Sequence, residues 1–123
     1  MFKVIVKGAA TKADAAKAAR AVADYPLFKC AVNGGDPNWG RIICAIGSCG
    51  VKLNPAKLSC KLGDIMVFRN GSPTNFDAKK AGKEISQPEF LITVDLGVGK
   101  GSDFCYGCDL SKVYVTINAD YHT

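Results

Sequence analysis

The chain opens Phe2-Lys-Val-Ile-Val-Lys-Gly8 and continues, after two alanines, Thr11-Lys-Ala-Asp14-Ala-Ala-Lys-Ala-Ala-Arg-Ala-Val-Ala-Asp24. The first run alternates and is rich in β-branched residues, the pattern of a strand with one face buried, and Gly8 is expected to end it. Thr11 and Asp14 have the spacing of a capping box, so a helix is expected from there to about Asp24. Its inward stripe of Ala15, Ala18, Ala19 and Val22 consists of small side chains, which lets the helix lie close to a sheet. A strand followed at once by such a helix makes the domain one of mixed class.

Working outward, Pro26 is read as following the end of that helix. Asp36-Pro37 sets a candidate cap before a proline at a favoured first helical position. Trp39, Ile42, Ile43 and Ile46 then recur at helical spacing, ending in Gly47-Ser-Cys-Gly50. Lys57 to Lys61 and Asp64 to Arg69 read as two strands around Gly63, and Phe76 to Ile85 as a weaker helix interrupted by Gly82. The remainder is strand-rich: Glu89 to Leu96, Ser102 to Asp109 and Lys112 to Ala119, with glycines at 97, 99 and 101 read as a hairpin-type turn. The order β-α-α-β-β-α-β-β-β is incompatible with an all-parallel sheet. It predicts an α+β fold, a mixed β-sheet with two to three helices packed on it.

A length of 123 residues suits one domain, 1–123, and 48% hydrophobic residues suffice for a core. The sequence has no apolar run near the ~20 residues that span a bilayer and no signal-peptide pattern, so no membrane partner and a cytoplasmic setting are expected. The net charge of +5 comes mostly from scattered lysines; the arginines are only Arg20, Arg41 and Arg69. That distribution describes a solvated surface, and no nucleic-acid partner is expected.

The chemistry-bearing residues are sparse. Cys105-x-x-Cys108 is half of a zinc signature without its other half, so no metal is expected and buried, reduced thiols are the default reading of the six cysteines. Gly97-Val-Gly-Lys-Gly-Ser102 lacks the phosphate-loop spacing and leads into a strand rather than a helix. His122 has no evident serine or cysteine partner. In Gly34-Gly-Asp-Pro-Asn-Trp-Gly-Arg41 the structural reading buries Trp39 and ties Arg41 to a carboxylate or backbone carbonyl. Along Val113-Tyr-Val-Thr-Ile-Asn-Ala-Asp120, a strand would put Val113, Val115, Ile117 and Ala119 on one face and Tyr114, Thr116, Asn118 and Asp120 on the other. That polar row faces solvent or binds a small zwitterion; the pattern alone leaves both open.

Four stretches in order carry a resemblance: Asp36-Pro-Asn-Trp-Gly-Arg-Ile42, Ile92-Thr-Val-Asp-Leu-Gly97 with Gly101-Ser102, Cys108-Asp-Leu110, and Ile117-Asn-Ala-Asp-Tyr121. With Pro26-Leu-Phe-Lys29 leading into the first, they resemble the ornithine acetyltransferase (glutamate N-acetyltransferase) family over essentially the whole chain. The resemblance implies a precursor that cleaves itself before a threonine into associated α- and β-chains. That threonine takes an acetyl group from N-acetylornithine and passes it to glutamate, through an oxyanion hole from the α-chain. Some members also accept acetyl-CoA. No metal or prosthetic group is implied, so no cofactor and no metal site are expected.

The match falls on the C-terminal part of the β-chain. The nucleophile motif of many members, Ala-Thr-Met-Leu, occurs nowhere in these 123 residues, so they are expected to hold no catalytic residue and to be inactive without the missing α-chain and N-terminal part of the β-chain. The family's terminal Asn-Ala-Asp-Tyr-Arg-Ser/Thr supplies two substrate contacts, which match Asn118 and Thr123 here, with His122 in place of the usual arginine. Two other readings compete: a stand-alone binding or interaction module without catalysis, and an amidase related by fold.

Overall fold

A computed structural model describes residues 1–108. The strand expected at 112–119 therefore lies outside the described residues, as do Asn118, His122 and Thr123.

Strand β1 (Phe2–Ala9) runs past the glycine expected to end it. Gly8 takes a φ of +68°, and the pairing register to the neighbouring strand shifts between Val6 and Ala9. The glycine is thus absorbed as a bulge. Helix α1 (Lys12–Ala23) starts as read: Thr11 is extended, and its Oγ1 accepts from the Asp14 N–H at 3.0 Å. Its buried face is Ala15, Ala18, Ala19, Val22 and Ala23, and this small stripe brings the helix down on the sheet. At Gly107 a Cβ would stand 2.9 Å from the Ala23 carbonyl oxygen, which shows how close the approach is.

Pro26 does not merely follow a stop. It opens helix α2 (Pro26–Asn33), which the pattern did not predict. Proline suits a first turn, where its missing N–H has no intrahelical partner to lose. The eight-residue helix has no side-chain cap; Phe28 anchors it, buried edge-on against Phe2 at 5.6 Å. Helix α3 (Trp39–Ser48) buries the expected Ile42 and Ile46 together with Ala45, while Ile43 packs at the core margin. Its cap is Asn38 rather than Asp36.

Strands β2 (Ser59–Leu62) and β3 (Ile65–Arg69) pair antiparallel around Gly63, and a two-residue edge strand, β4 (Ser72–Pro73), joins β3. Its proline is tolerated because an edge strand need not donate on both sides. Helix α4 (Ala78–Ile85) forms in spite of Gly82: Asp77 Oδ1 accepts from the Lys79 and Lys80 N–H groups at 2.9 and 3.2 Å, and Ala81 and Ile85 are buried. Strands β5 (Phe90–Asp95) and β6 (Gly101–Gly107) complete the described elements.

The sheet order is β4-β3-β2-β5-β1-β6. Strands β1 and β5 are parallel, from Phe2 opposite Phe90 to Lys7 opposite Asp95, and every other pairing is antiparallel. This is the expected α+β fold with a mixed sheet; α2 is the additional helix. One core joins Phe2, Val4, Val6, Cys60, Leu62, Ile92 and Val94 of the sheet to the buried residues of all four described helices. Burying a large apolar side chain contributes roughly 1.5–3 kcal/mol, so this shared face rather than any surface contact holds the layers together.

Candidate functional site

Because the helices share one face, the other face of the sheet is open among the described residues. Strand alternation places Lys3, Ile5 and Lys7 of β1 there, beside Leu91, Thr93 and Asp95 of β5, Ser59 and Lys61 of β2, Met66 of β3, and Phe104 and Tyr106 of β6. The face is graded. At one corner Phe104 and Tyr106 meet edge to face at 5.6 Å, 50% and 56% exposed, with Lys3 Nζ 4.4 Å from the Phe104 ring centre. A groove of about 660 Å³ lies beside them, lined by Phe2, Lys3, Leu91, Tyr106 and the acidic Glu84 and Glu89. Towards the carboxyl ends of the parallel strands the face turns polar: Lys7, Ser59, Lys61, Thr93, Asp64 and Asp95 line a cavity of about 370 Å³.

Strand β6 ends at this aromatic corner. It runs antiparallel to β1, so Gly107 lies opposite Phe2 and the chain reaches Cys108 next to the aromatic corner. Asn118 and Thr123 follow 10 and 15 residues later, outside the described residues.

The motif from Asp36 to Arg41 is held by hydrogen bonds within the chain. Asn38 Oδ1 accepts from the Arg41 N–H at 3.2 Å, and Asn38 Nδ2 donates to Asp36 Oδ2 at 3.3 Å. Arg41 Nη1 donates to the Leu27 carbonyl at 2.6 Å, tying α3 to α2 through the backbone carbonyl contact that the sequence suggested. Trp39 is half-buried rather than buried, its ring 5.3 Å from that of Phe68. Nearby, Tyr25 has its phenol pushed up by a hydrogen bond with Cys44 first and by desolvation second, with the Arg41 charge opposing.

The glycine-rich segment is not a hairpin turn, because β1 lies between the strands it joins. It crosses the end of β1 instead: the N–H groups of Val98 and Gly99 donate to the Gly8 carbonyl at 2.8 and 2.9 Å. Asp95 Oδ1 accepts from the Gly97 N–H at 2.9 Å, and a Cβ at Gly99 would sit 2.5 Å from the Ala9 carbonyl oxygen. The glycines are needed for close backbone approach, not for a phosphate.

The buried-thiol default holds for one cysteine. Cys60 is buried and desolvation pushes its thiol up to about 12, which makes it a poor nucleophile. Cys30, Cys44 and Cys108 are exposed, while Cys49 and Cys105 are half-buried and pack against the core. Among the described residues no three His, Cys, Asp or Glu side chains converge as a metal site, and no helix is long and apolar enough to cross a membrane. The Asp103 carboxylate is held below the usual range, first by the Phe104 N–H at 2.8 Å and then by Lys12 at 3.5 Å, with desolvation opposing both.

Comparison with known proteins agrees with the motifs. The sequence model of the ArgJ family matches residues 1–123, the full length of the chain. The chain belongs to the ArgJ family. Among ArgJ-family relatives, the arginine biosynthesis bifunctional protein ArgJ of Oceanobacillus iheyensis is 44% identical over 123 residues, covering 100% of this chain and 30% of that protein. The glutamate N-acetyltransferase of Methanocaldococcus jannaschii is 43% identical over 130 residues, covering 99% of this chain and 32% of its own length. The crystal structure of the arginine biosynthesis bifunctional protein ArgJ from Bacillus halodurans superimposes with a TM-score of 0.91 at 37% identity, covering 98% of this chain and 57% of that one. The ArgJ segment in hand thus spans about a third of the length of the curated relatives it matches.

Proposed function

We propose that these residues are the C-terminal part of the β-chain of a glutamate N-acetyltransferase, a single domain, 1–123, that supplies substrate contacts and not the nucleophile. The observation that carries the reading is one of extent. Family identity runs through every part of the chain yet covers under a third of the Oceanobacillus relative, and no Ala-Thr-Met-Leu motif occurs among these residues. In the proposed reaction a threonine hydroxyl of the polypeptide outside this segment attacks the acetamide carbonyl of N-acetylornithine. The carbon–nitrogen bond breaks, the amine leaves with the hydroxyl proton, and an acetyl ester remains. The glutamate amine then attacks the ester, giving N-acetylglutamate and restoring the hydroxyl.

Asn118 and Thr123 form part of the cavity wall in this reading. The Asn118 amide offers both a donor and an acceptor to the substrate's α-carboxylate or acetamide, and Thr123 offers its hydroxyl to the amine end. Acetyl-CoA serves as an additional donor where the parent enzyme accepts it. The assembly is a hetero-oligomer of α- and β-chains in the cytoplasm, where the cysteines stay reduced. The test is to express the chain together with its preceding coding region and assay acetyl exchange between N-acetylornithine and glutamate. Exchange that falls at least tenfold in Asn118→Ala supports the assignment; undiminished exchange in that variant removes Asn118 from the site.

A further inference from the structure

We propose that Asn70-Gly71 is a self-modification site, at which the folded chain converts an asparagine to aspartate and isoaspartate through a cyclic imide. The chemistry uses none of the groups of the proposed acetyl transfer. The sequence holds two Asn-Gly pairs, Asn33-Gly34 and Asn70-Gly71. Glycine has no side chain to shield its backbone nitrogen, which is free to attack the preceding asparagine's side-chain carbonyl. The new N–Cγ bond closes the imide, and the side-chain nitrogen leaves as ammonia with the glycine amide proton. Water then opens the ring at Cγ to give aspartate, or at the main-chain carbonyl to give isoaspartate.

The fold demands the second pair and leaves it at the sheet margin. Arg69 pairs with Ser72, so Asn70 and Gly71 form a two-residue hairpin turn between β3 and β4. Their φ values are +49° and +80°, the positive pair that such a turn requires; among the described residues Asn70 alone, glycines aside, has a positive φ. A Cβ at Gly71 would collide with the Pro55 carbonyl oxygen, so the glycine is fixed by packing as well. Hydrogen bonds restrain the reaction. The attacking Gly71 nitrogen donates to the Leu58 carbonyl at 3.0 Å, and the Asn70 N–H donates to Ser59 Oγ at 3.2 Å. The first bond must part before the ring closes, and the second steadies the turn that holds it. The rate therefore follows the population of the opened turn.

Opening is local at Asn70, because residues 69–73 are exposed and β4 is a two-residue strand with β3 as its neighbour. At the other pair, the Gly34 N–H donates to the Cys30 carbonyl at 3.2 Å at the end of α2, beside the buried Ala31 and Val32. Freeing that nitrogen unravels a helix end packed on the core. Asn70 is thus the asparagine that reacts from the folded state. Isoaspartate there adds a carbon to the backbone of the turn, which breaks the register of β4 and releases Ser59, a residue lining the polar cavity.

The experiment incubates the purified chain at pH 8, folded and in urea, and follows the Asn33 and Asn70 peptides by chromatography and mass spectrometry. In the folded chain Asn70 is expected to react roughly tenfold more slowly than in urea, yet at least threefold faster than Asn33. Ser59→Ala removes one ordinary hydrogen bond, so it is expected to speed Asn70 roughly fivefold and leave Asn33 unchanged. Ser59→Thr keeps the hydroxyl and is expected to hold the parent rate. The comparison within the parent chain does not depend on how the variants fold: Asn70 no faster than Asn33, or as fast folded as in urea, overturns the proposal. A Ser59→Ala chain with the parent's circular dichroism overturns it too if Asn70 keeps the parent rate or if both asparagines accelerate equally.

Discussion

Gly8→Ala is the substitution whose effect the geometry defines most closely. The residue sits at φ +68°, where an L side chain costs about 1–2 kcal/mol. Its new Cβ would collide with Asp95 Oδ1 and stand 2.9 Å from the Gly97 nitrogen. The carboxylate must therefore swing away and lose its bond to the Gly97 N–H, a charge-assisted contact worth about 1.5–3 kcal/mol. Together these predict a loss of about 2.5–5 kcal/mol in urea unfolding of the chain. In an Asp95→Ala background the carboxylate is already gone, so Gly8→Ala should cost only the backbone share, about 1–2 kcal/mol. A cost below about 1 kcal/mol in the parent chain, or equal costs in both backgrounds, would refute the packed crossover of the 97–101 loop on β1.

The remaining predictions concern single groups. Cys60, with its thiol near 12, should resist alkylation at pH 8 until the chain is unfolded, since roughly one in ten thousand is thiolate there; Cys30, Cys44 and Cys108 should react in the folded protein, as peptide mapping would show. Asp103 should titrate below the usual aspartate range in carbon-13 NMR, and Lys12→Ala should reverse only part of that depression because the Phe104 N–H is the larger cause. As its folded pKa is depressed, its stabilising share is present above the unfolded carboxylate pKa and is lost as pH falls through the folded value. Asn38→Ala should cost about 1 kcal/mol as the loss of a helix cap, and Asp36→Ala distinctly less; the reverse order in thermal melts would reinstate Asp36 as the cap.

The sequence was most readable where a local pattern also determines burial. The α1 cap at Thr11, the alanine stripe beneath it and the Ile42–Ile46 stripe of α3 each needed only short-range spacing. Helix α2 was missed because its signal is not local: Pro26 reads equally as a terminator, and what keeps the eight residues helical is Phe28 against Phe2 and Arg41 on the Leu27 carbonyl. The 97–101 loop was misread for the same reason, since nothing within it shows that β1 lies between the strands it joins. Asp36 lost the cap to Asn38 because the backbone turns through Pro37 before the helix begins. The exposure of Cys30 and Cys44 depended on which helix faces turn outward, which composition does not encode. For the candidate site, the Arg41 contact to a backbone carbonyl was legible from residue types, while the extent of Trp39 burial was not. Asn118 and Thr123 rest on motif resemblance alone, as they lie outside the described residues.

In the proposed reaction the acetyl-carrying hydroxyl belongs to polypeptide other than these 123 residues. The most direct measurement incubates the purified chain, free of any companion, with isotopically labelled N-acetylornithine and glutamate, and follows N-acetylglutamate and the intact protein mass. No labelled product and no acetyl adduct above roughly the uncatalysed background are expected. Sustained turnover, or an acetyl ester on any residue of the isolated chain, would contradict it.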